Sequence, residues 1–162
     1  MTVVSTEKDA ENLTLTVVAD FAATPEQVWE LWSDARKLER WWGPPTYPAT
    51  FQRHDFVVGG ESRYFMTGPN GESPHGWWRM QLIDKPRRLE FENGLAGDDG
   101  EPVPGVEPAP GFVTFETHAG GTRMTAVTQF VDVAQMEKLL GMGMQEGMKQ
   151  AVGQMDGLLL AA

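Results

Sequence analysis

The sequence predicts an α+β fold in which a curved antiparallel sheet of about seven strands wraps around a long C-terminal helix. Apolar and polar residues alternate in the first strand and again in several later segments, as is typical of strands with one buried face. Helix-capping residues follow the first strand, and the C-terminal residues place apolar side chains along one helical stripe. A sheet that buries one face against that helix satisfies this order of elements.

The first predicted strand covers residues 13–21, and a short helix follows it. Thr24 is suited to cap this helix, Pro25 to occupy its first position, and Gln27 to complete a capping box. Val28, Leu31 and Trp32 fall on one helical face, which we expect to be buried.

A second short helix is predicted after Ser33 or Asp34, either of which can cap it. It carries Trp41 and Trp42 and ends at residues 43–45, which read Gly-Pro-Pro. Because neighbouring residues on a helix point in different directions, at most one of these tryptophans is expected to line a shared ligand space.

The remaining strands are separated by turn signals. Glycine pairs at residues 59–60 and 120–121, Asn70-Gly71 and Lys85-Pro86 mark the turns. The strands are predicted at residues 47–57, 61–67, 77–83, 89–91, 113–117 and 124–130. Residues 94–111 are rich in Gly, Pro and acidic residues and predict a long acidic loop.

The last predicted element is one helix of roughly 25 residues, capped by Asp132 with Gln135 three residues on. Its stripe of apolar residues recurs at spacings of three and four and consists of Met136, Leu140, Met144, Met148, Val152, Met155 and Leu159. Five glycines interrupt this helix, at positions 141, 143, 147, 153 and 157. Since each costs about 1 kcal/mol against alanine in a helix interior, we expect them to provide either close approach or space on some face.

The amino-acid composition excludes several classes of function. The net charge of −10 argues against binding to nucleic acid or to an anionic membrane. The chain has no cysteine, which excludes disulfides, thiolate chemistry and cysteine-ligated metal centres.

We expect a flexible N-terminus at residues 1–11 and a single domain at residues 12–162. Without a secretory signal pattern or an apolar run of about 18 residues, the expected location is the cytoplasm.

Several motifs resemble the SRPBCC superfamily, the START-like helix-grip proteins, and within it the branch named after the activator of the ATPase of heat-shock protein ninety. The resemblance spans roughly residues 12–160. The matching pieces are residues 23–29, 41–44, Asp55 with 59–60, 70–71, Gly76, 85–89, 121–124 and the glycine-rich final helix.

The resemblance implies a cavity between the sheet and the C-terminal helix, lined by apolar, aromatic and thioether side chains. For each candidate lining residue the alternative is an ordinary core position. The candidates on the strands are Trp78, Met80, Leu82, Phe91, Phe115, Met124, Ala126 and Thr128. The candidates on the helices are Trp32, Trp41, Trp42, Met144, Met148 and Val152.

No pattern indicates a metal, a cofactor or a nucleophile. His54, His75 and His118 lie on separate segments without zinc-like spacing, so no metal ligand is assigned; His75 falls either at the cavity rim or in a solvated loop. Phosphate-binding glycine loops and the nucleophile-elbow motif are missing from the sequence, and the expected cofactor is none. Cyclase-type members of the superfamily use a few polar groups in an apolar cavity, for which the candidates are Arg63, Arg79, Glu92, Glu116 and His118.

The sequence is therefore compatible with three functions. The favoured one is a binding protein for a small hydrophobic or aromatic molecule, rather than an enzyme. The alternatives are an enzyme of the polyketide cyclase or dehydratase type and a chaperone-related interaction module, linked to stress response, that uses the acidic surface. A homodimer is left open by the sequence.

Overall fold

A computed structural model describes residues 3–160. These residues form one antiparallel sheet, with short helices after its second strand and after its last strand. Side chains are described for residues 5–159. The strands of this part of the chain are β1 (Val3–Asp9), β2 (Thr14–Phe21), β3 (Ala49–His54), β4 (Glu61–Met66), β5 (His75–Asp84), β6 (Arg88–Ala96), β7 (Ala109–His118) and β8 (Gly121–Gln129). The helices are α1 (Pro25–Ser33), α2 (Ala35–Leu38), α3 (Val133–Gly141), α4 (Met144–Gly153) and α5 (Met155–Leu160).

The strands form one open antiparallel sheet in the order β1-β2-β8-β7-β6-β5-β4-β3. Register shifts lie between Phe51 and Arg53 in β3 and between Met80 and Leu82 in β5. Such bulges bend a strand and increase its twist, which helps a sheet to curve around a core. The predicted α+β class, with a curved antiparallel sheet, two short helices and a helical C-terminus, is confirmed.

The N-terminal residues differ from the expectation of a flexible segment at residues 1–11. Within it, β1 pairs with β2 in register from Val3 opposite Asp20 to Asp9 opposite Thr14. The amide of Gln145, on α4, also donates to the Thr6 hydroxyl at 3.0 Å. Backbone pairing and this side-chain bond hold the polar segment in place, so the sheet has eight strands in the described residues, one more than the predicted seven. Residues 1 and 2 lie outside the described residues.

The C-terminal segment is helical as predicted, but it is divided into α3, α4 and α5. The first break is at Gly143, whose φ of 87° is left-handed and ends the regular helical path. Glycine adopts this conformation without the clash that a Cβ causes, so the glycine-rich sequence permits the break. Asp132 caps α3 as predicted, accepting from the Gln135 amide at 2.7 Å.

The start of α1 also follows the sequence prediction. The Thr24 hydroxyl accepts from the Gln27 backbone at 3.2 Å, and the Gln27 side chain accepts from the Thr24 backbone at 2.9 Å. Asp34, rather than Ser33, caps α2 through the backbone of Arg36 and Lys37. These caps satisfy helix-end donors that would otherwise remain unpaired.

Side chains of the α2 region cover the edge strand β3 at Phe51. Arg36 Nη2 donates to the Phe51 carbonyl at 2.7 Å, and Glu39 Oε2 accepts from the Phe51 amide at 2.9 Å. Both outward hydrogen-bonding groups of Phe51 are thus occupied, as is usual for well-protected sheet edges.

Among residues 3–160, every helix is too short or too polar to cross a membrane.

We expect Gly143→Ala and Gly147→Ala to change stability in opposite directions. Alanine at position 143 would have to adopt a left-handed conformation, which should lower the free energy of unfolding by about 1–2 kcal/mol. At position 147, inside α4, nothing lies within 4 Å of an added Cβ, so alanine should raise the free energy of unfolding by about 1 kcal/mol. Urea denaturation followed by tryptophan fluorescence measures both, and equal effects would contradict a break fixed by Gly143.

Candidate functional site

A cavity of about 690 Å³ opens between one end of the sheet and the C-terminal helices. Strands β4 to β6 form one side of it, and the junction between α3 and α4 forms the other. The segment after α2, the connection between β4 and β5, and the loop between β6 and β7 complete the wall. This volume is in the range of sites that hold small organic molecules.

Aromatic rings form the inner wall. Trp42 lies 4.8 Å from the ring of Trp78 and 6.1 Å from that of Tyr64, edge to face in both cases. Trp41 is 1% exposed, and its indole donates to the Leu31 carbonyl at 2.7 Å. Both tryptophans border the cavity. The expectation that at most one would do so is wrong, because α2 ends at Leu38 and both residues lie in the following turns.

The C-terminal helices contribute a wall of thioether and aliphatic side chains. The candidates Met144, Met148 and Val152 border the cavity. Gly143 and Gly147 lie in the same wall, so two of the five predicted helix glycines do adjoin open space. Methionine side chains adapt to irregular guests because they are unbranched and polarizable.

The other predicted lining residues divide between a small void and the core. Trp32, Phe91, Ala126 and Thr128 adjoin a second space of about 20 Å³, large enough for one water molecule. The remaining predicted residues border neither space; they are Trp78, Met80, Leu82, Phe115 and Met124. All of these except the half-buried Leu82 are core residues, since aromatic side chains from α1 fill this part of the concave face.

Tyr64 lies in the inner wall and was not predicted from the sequence. It is 8% exposed, and its hydroxyl donates to Asn93 Oδ1 at 3.4 Å. Burial raises the pKa of the Tyr64 phenol to about 12, while the neighbouring Trp42 indole opposes this rise. The phenol therefore stays neutral under ordinary conditions. Gly76 makes room for it, because a Cβ there would collide with the Tyr64 ring.

Charged and polar side chains surround the mouth. The Tyr47 hydroxyl donates to Glu72 Oε2 at 2.5 Å, which lowers the pKa of Glu72 and raises the pKa of Tyr47. Nδ1 of His75 donates to the Ser73 carbonyl at 2.8 Å, which leaves Nε2 as the unprotonated nitrogen of the neutral ring. His75 therefore occupies the cavity rim, one of its two predicted locations.

Tyr47, Tyr64 and Glu72 were not predicted as site residues. Neither periodicity nor a motif signals them, because their placement depends on contacts between segments distant in the sequence. The Asn70-Gly71 pair before Glu72 predicts a turn, but it does not indicate a site.

The acidic loop forms part of the cavity wall. Strands β6 and β7 extend further than predicted, so the loop covers residues 97–108 rather than 94–111. Val106 and Glu107 border the cavity, and Gln135 Nε2 donates to the Glu107 carbonyl at 2.8 Å. At the other end of the loop, Arg63 donates to the Gly100 carbonyl and lies 3.4 Å from Glu101.

The candidate proton-transfer residues lie away from this cavity. Arg63 holds the acidic loop, and Arg79 pairs with Glu61 at 3.2 Å. Glu92 accepts from Gln81 at 2.7 Å. Glu116 and His118 are exposed near the end of β7. None of these five borders the cavity in the described residues.

His54 is a packed histidine rather than a site residue. Its Nε2 donates to the Trp32 carbonyl at 2.9 Å, and its Nδ1 lies 2.7 Å from the Ser62 hydroxyl. Within residues 3–160, no group of three His, Asp or Glu side chains is arranged to hold a metal ion.

Comparison with known proteins identifies the family. The family described as "Activator of Hsp90 ATPase homolog 1-like protein" matches residues 22–159, and the chain belongs to this family. The match covers every element from α1 onward that borders the cavity. A search of curated proteins gives no match.

Solved structures of bacterial proteins share the fold. A solution structure from Arthrobacter aurescens is 46% identical, with a TM-score of 0.92 over 99% of this chain and 93% of that chain. Protein Ms6760 from Mycobacterium smegmatis is 39% identical, with a TM-score of 0.91 over 99% of each chain. The AHSA1 protein from Silicibacter pomeroyi, at 19% identity and a TM-score of 0.74 over 91% of this chain and 98% of that chain, shows the fold alone.

We expect stability to depend on pH through His54. Burial lowers the pKa of His54, while the hydrogen bond to the Trp32 carbonyl and the nearby Asp55 and Asp34 carboxylates partly oppose this effect. Below about pH 6.5, His54 therefore binds a proton more readily in the unfolded chain than in the folded chain. The free energy of unfolding should fall with decreasing pH in this window, by at most about 1.4 kcal/mol per pH unit.

Urea denaturation between about pH 7.5 and pH 5.5 measures this slope, above the usual titration range of carboxylates. His54→Gln should flatten the slope, whereas His118→Gln, at an exposed position, should retain it. A slope that disappears with His118→Gln instead would refute the assignment to His54.

We expect Gln135→Glu to loosen the acidic loop without disturbing the start of α3. The glutamate keeps the oxygen that accepts from the Val131 amide at 2.8 Å but loses the amide that donates to Glu107. Loss of one hydrogen bond should speed amide exchange in residues 103–108 by about two- to tenfold. Hydrogen exchange measured by NMR tests this, with the amides of β8 as internal control. Equal acceleration in β8 would indicate global destabilisation instead.

Proposed function

We propose that this protein binds a small hydrophobic or aromatic molecule in the cavity between the sheet and helices α3 and α4. The observation that carries the proposal is the cavity of about 690 Å³, walled mainly by indole, phenol, thioether and aliphatic groups. The family assignment is consistent with a ligand-binding domain. Apolar walls with a few polar groups at the opening are typical of small-molecule sites.

Apolar burial would supply most of the affinity. A ligand that buries roughly 400 Å² of apolar surface gains about 10 kcal/mol. Loss of translational and rotational freedom removes at least about 4 kcal/mol of this gain. The balance corresponds to dissociation constants of about tens of micromolar, to which correctly placed polar contacts would add.

Filling the cavity should abolish binding. We expect Met148→Trp, and separately Met144→Trp, to weaken binding of the neutral dye Nile red by more than about tenfold, since the added ring occupies the ligand space. Val133→Trp introduces the same ring at an exposed position of α3 and should bind like the wild type. Fluorescence titration measures the affinities, and circular dichroism checks that each variant is folded.

A folded variant of both Met144 and Met148 that still binds the dye like the wild type would contradict the proposal. Native mass spectrometry of protein purified gently from its own cells supplies an independent result. A bound molecule that disappears in the folded Met148→Trp variant would assign the natural ligand to this cavity.

A cyclase- or dehydratase-type enzyme is the second candidate, because His75, Tyr64 and Glu72 border the same cavity. An imidazole with a free Nε2 and a neutral phenol are groups that can move a proton on a bound molecule. If a ligand is recovered, its incubation with the wild type and with His75→Gln separates the candidates. Conversion by the wild type alone supports catalysis, whereas recovery of the chemically unchanged molecule from both supports a carrier.

Further aspects of the sequence interpretation remain predictions. They are a protein partner at the acidic surface, a homodimer, a role in stress response and a cytoplasmic location.

A further inference from the structure

Charge is unevenly distributed around the cavity. The described lining contains two carboxylates, Glu72 and Glu107, and one ammonium group, Lys138. All three residues are exposed. The whole chain carries a net charge of −10. The potential at the mouth is therefore expected to be negative.

Glu72 is held in a defined position and in its ionised form. The Tyr47 hydroxyl donates to its Oε2, and this contact lowers the pKa of Glu72. The backbone amides of Glu72 and Asn70 also favour the ionised form. The mouth thus contains an oriented anion.

One aromatic ring adjoins a carboxylate of the mouth, since the Tyr47 hydroxyl bonds to Glu72. The rings of Tyr64 and Trp42, in the inner wall, border the same cavity. The faces of such rings attract cations, most strongly when water is excluded, and this is how proteins recognise ammonium groups. Ring faces and carboxylates therefore favour the same sign of ligand charge.

The inner wall is neutral. Its polar groups include the Tyr64 hydroxyl and the Asn93 amide, which bond to each other at 3.4 Å, and Tyr64 is 8% exposed. No Lys or Arg side chain borders the cavity in the described residues apart from Lys138, which is exposed. A carboxylate or phosphate placed at depth would lose its hydration without gaining a cation, which is costly.

We propose that the cavity is selective for apolar molecules that carry an amine or ammonium group, with the apolar body inside and the cationic group at the mouth near Glu72 and Glu107. The proposal rests on the proposed function of the cavity and adds the charge class of the ligand. It makes the protein a receptor for hydrophobic amines rather than for fatty acids or other anionic amphiphiles.

Three probes with the same aromatic body test this selectivity. They are 1-naphthylmethylamine, a cation at neutral pH, the neutral 1-naphthalenemethanol, and 1-naphthoate, an anion. Isothermal titration calorimetry at low salt should give the tightest binding for the amine and the weakest for the carboxylate, with about a tenfold difference between them. The difference should shrink at physiological salt, since screening weakens interactions at an exposed mouth.

Isosteric variants locate the origin of the selectivity. Glu72→Gln and Glu107→Gln should each weaken binding of the amine by about three- to fivefold and leave the alcohol unchanged. Lys138→Gln should have the opposite effect and strengthen binding of the amine. Glu7→Gln removes the same charge from β1, away from the cavity, and is the matched control.

The outcomes separate the two proposals. Equal or tighter binding of 1-naphthoate, or an amine preference that survives both glutamate variants, overturns the charge selectivity and leaves the binding function intact. Failure of all three probes and of Nile red to bind overturns the binding function, and the selectivity with it. An amine preference that Glu72→Gln and Glu107→Gln reduce and Glu7→Gln does not supports both.

Discussion

The packing of Trp32 against the concave face of the sheet is the contact on which the rest of the molecule depends. Its ring lies 4.7 Å from Trp41, 6.0 Å from Phe91 and 6.4 Å from Phe115, between centroids. Its indole donates to Met124 Sδ at 3.4 Å, and its carbonyl accepts from His54. One residue of α1 thereby joins the turn after α2, the middle strands and the end of β3. Each aromatic pair contributes about 0.5–1.5 kcal/mol beyond its buried area.

This packing also determines where the molecule is open. Aromatic rings from α1 and its surroundings fill the concave face over β7 and β8, where a void of only about 20 Å³ remains. At the other end, β4 to β6 face the glycine-broken junction of α3 and α4, which leaves about 690 Å³. The filled half provides stability, and the half bounded by turns, a loop and broken helices provides space. A binding site built on a rigid sheet but closed by less regular segments is common in proteins.

Local sequence signals predicted most of the fold. Alternation predicted the strands, and the Thr24 and Asp132 caps predicted where helices begin, because these features depend on residues close together in the chain. The apolar stripe of residues 136–159 predicted the helical C-terminus, and the order of the elements predicted a curved sheet wrapped around it. The position of Gly143 within the predicted final helix gave no indication of its left-handed backbone, since glycine also occurs within regular helices.

The site was harder to predict than the fold. Met144, Met148, Trp41 and Trp42 are candidate residues that border the cavity, and they could be named because an apolar stripe and a tryptophan pair are visible in the sequence. Tyr47 and Glu72 were missed, since strands β3 and β4 separate these two residues in the sequence and only the fold brings them into contact. Trp78 and Phe115 have the inward alternation of cavity residues, yet the cavity lies elsewhere. Alternation identifies which face of a strand is buried, but it does not distinguish contact with protein from contact with empty space.

The covered edge at Phe51 bears on how copies of this chain could associate. Strand addition between molecules requires free amide and carbonyl groups along an edge. At Phe51 both groups already bond to Arg36 and Glu39 of the same chain. A continuous intermolecular sheet across β3 would have to displace two charge-assisted hydrogen bonds, so any dimer of this protein is expected to form through another surface.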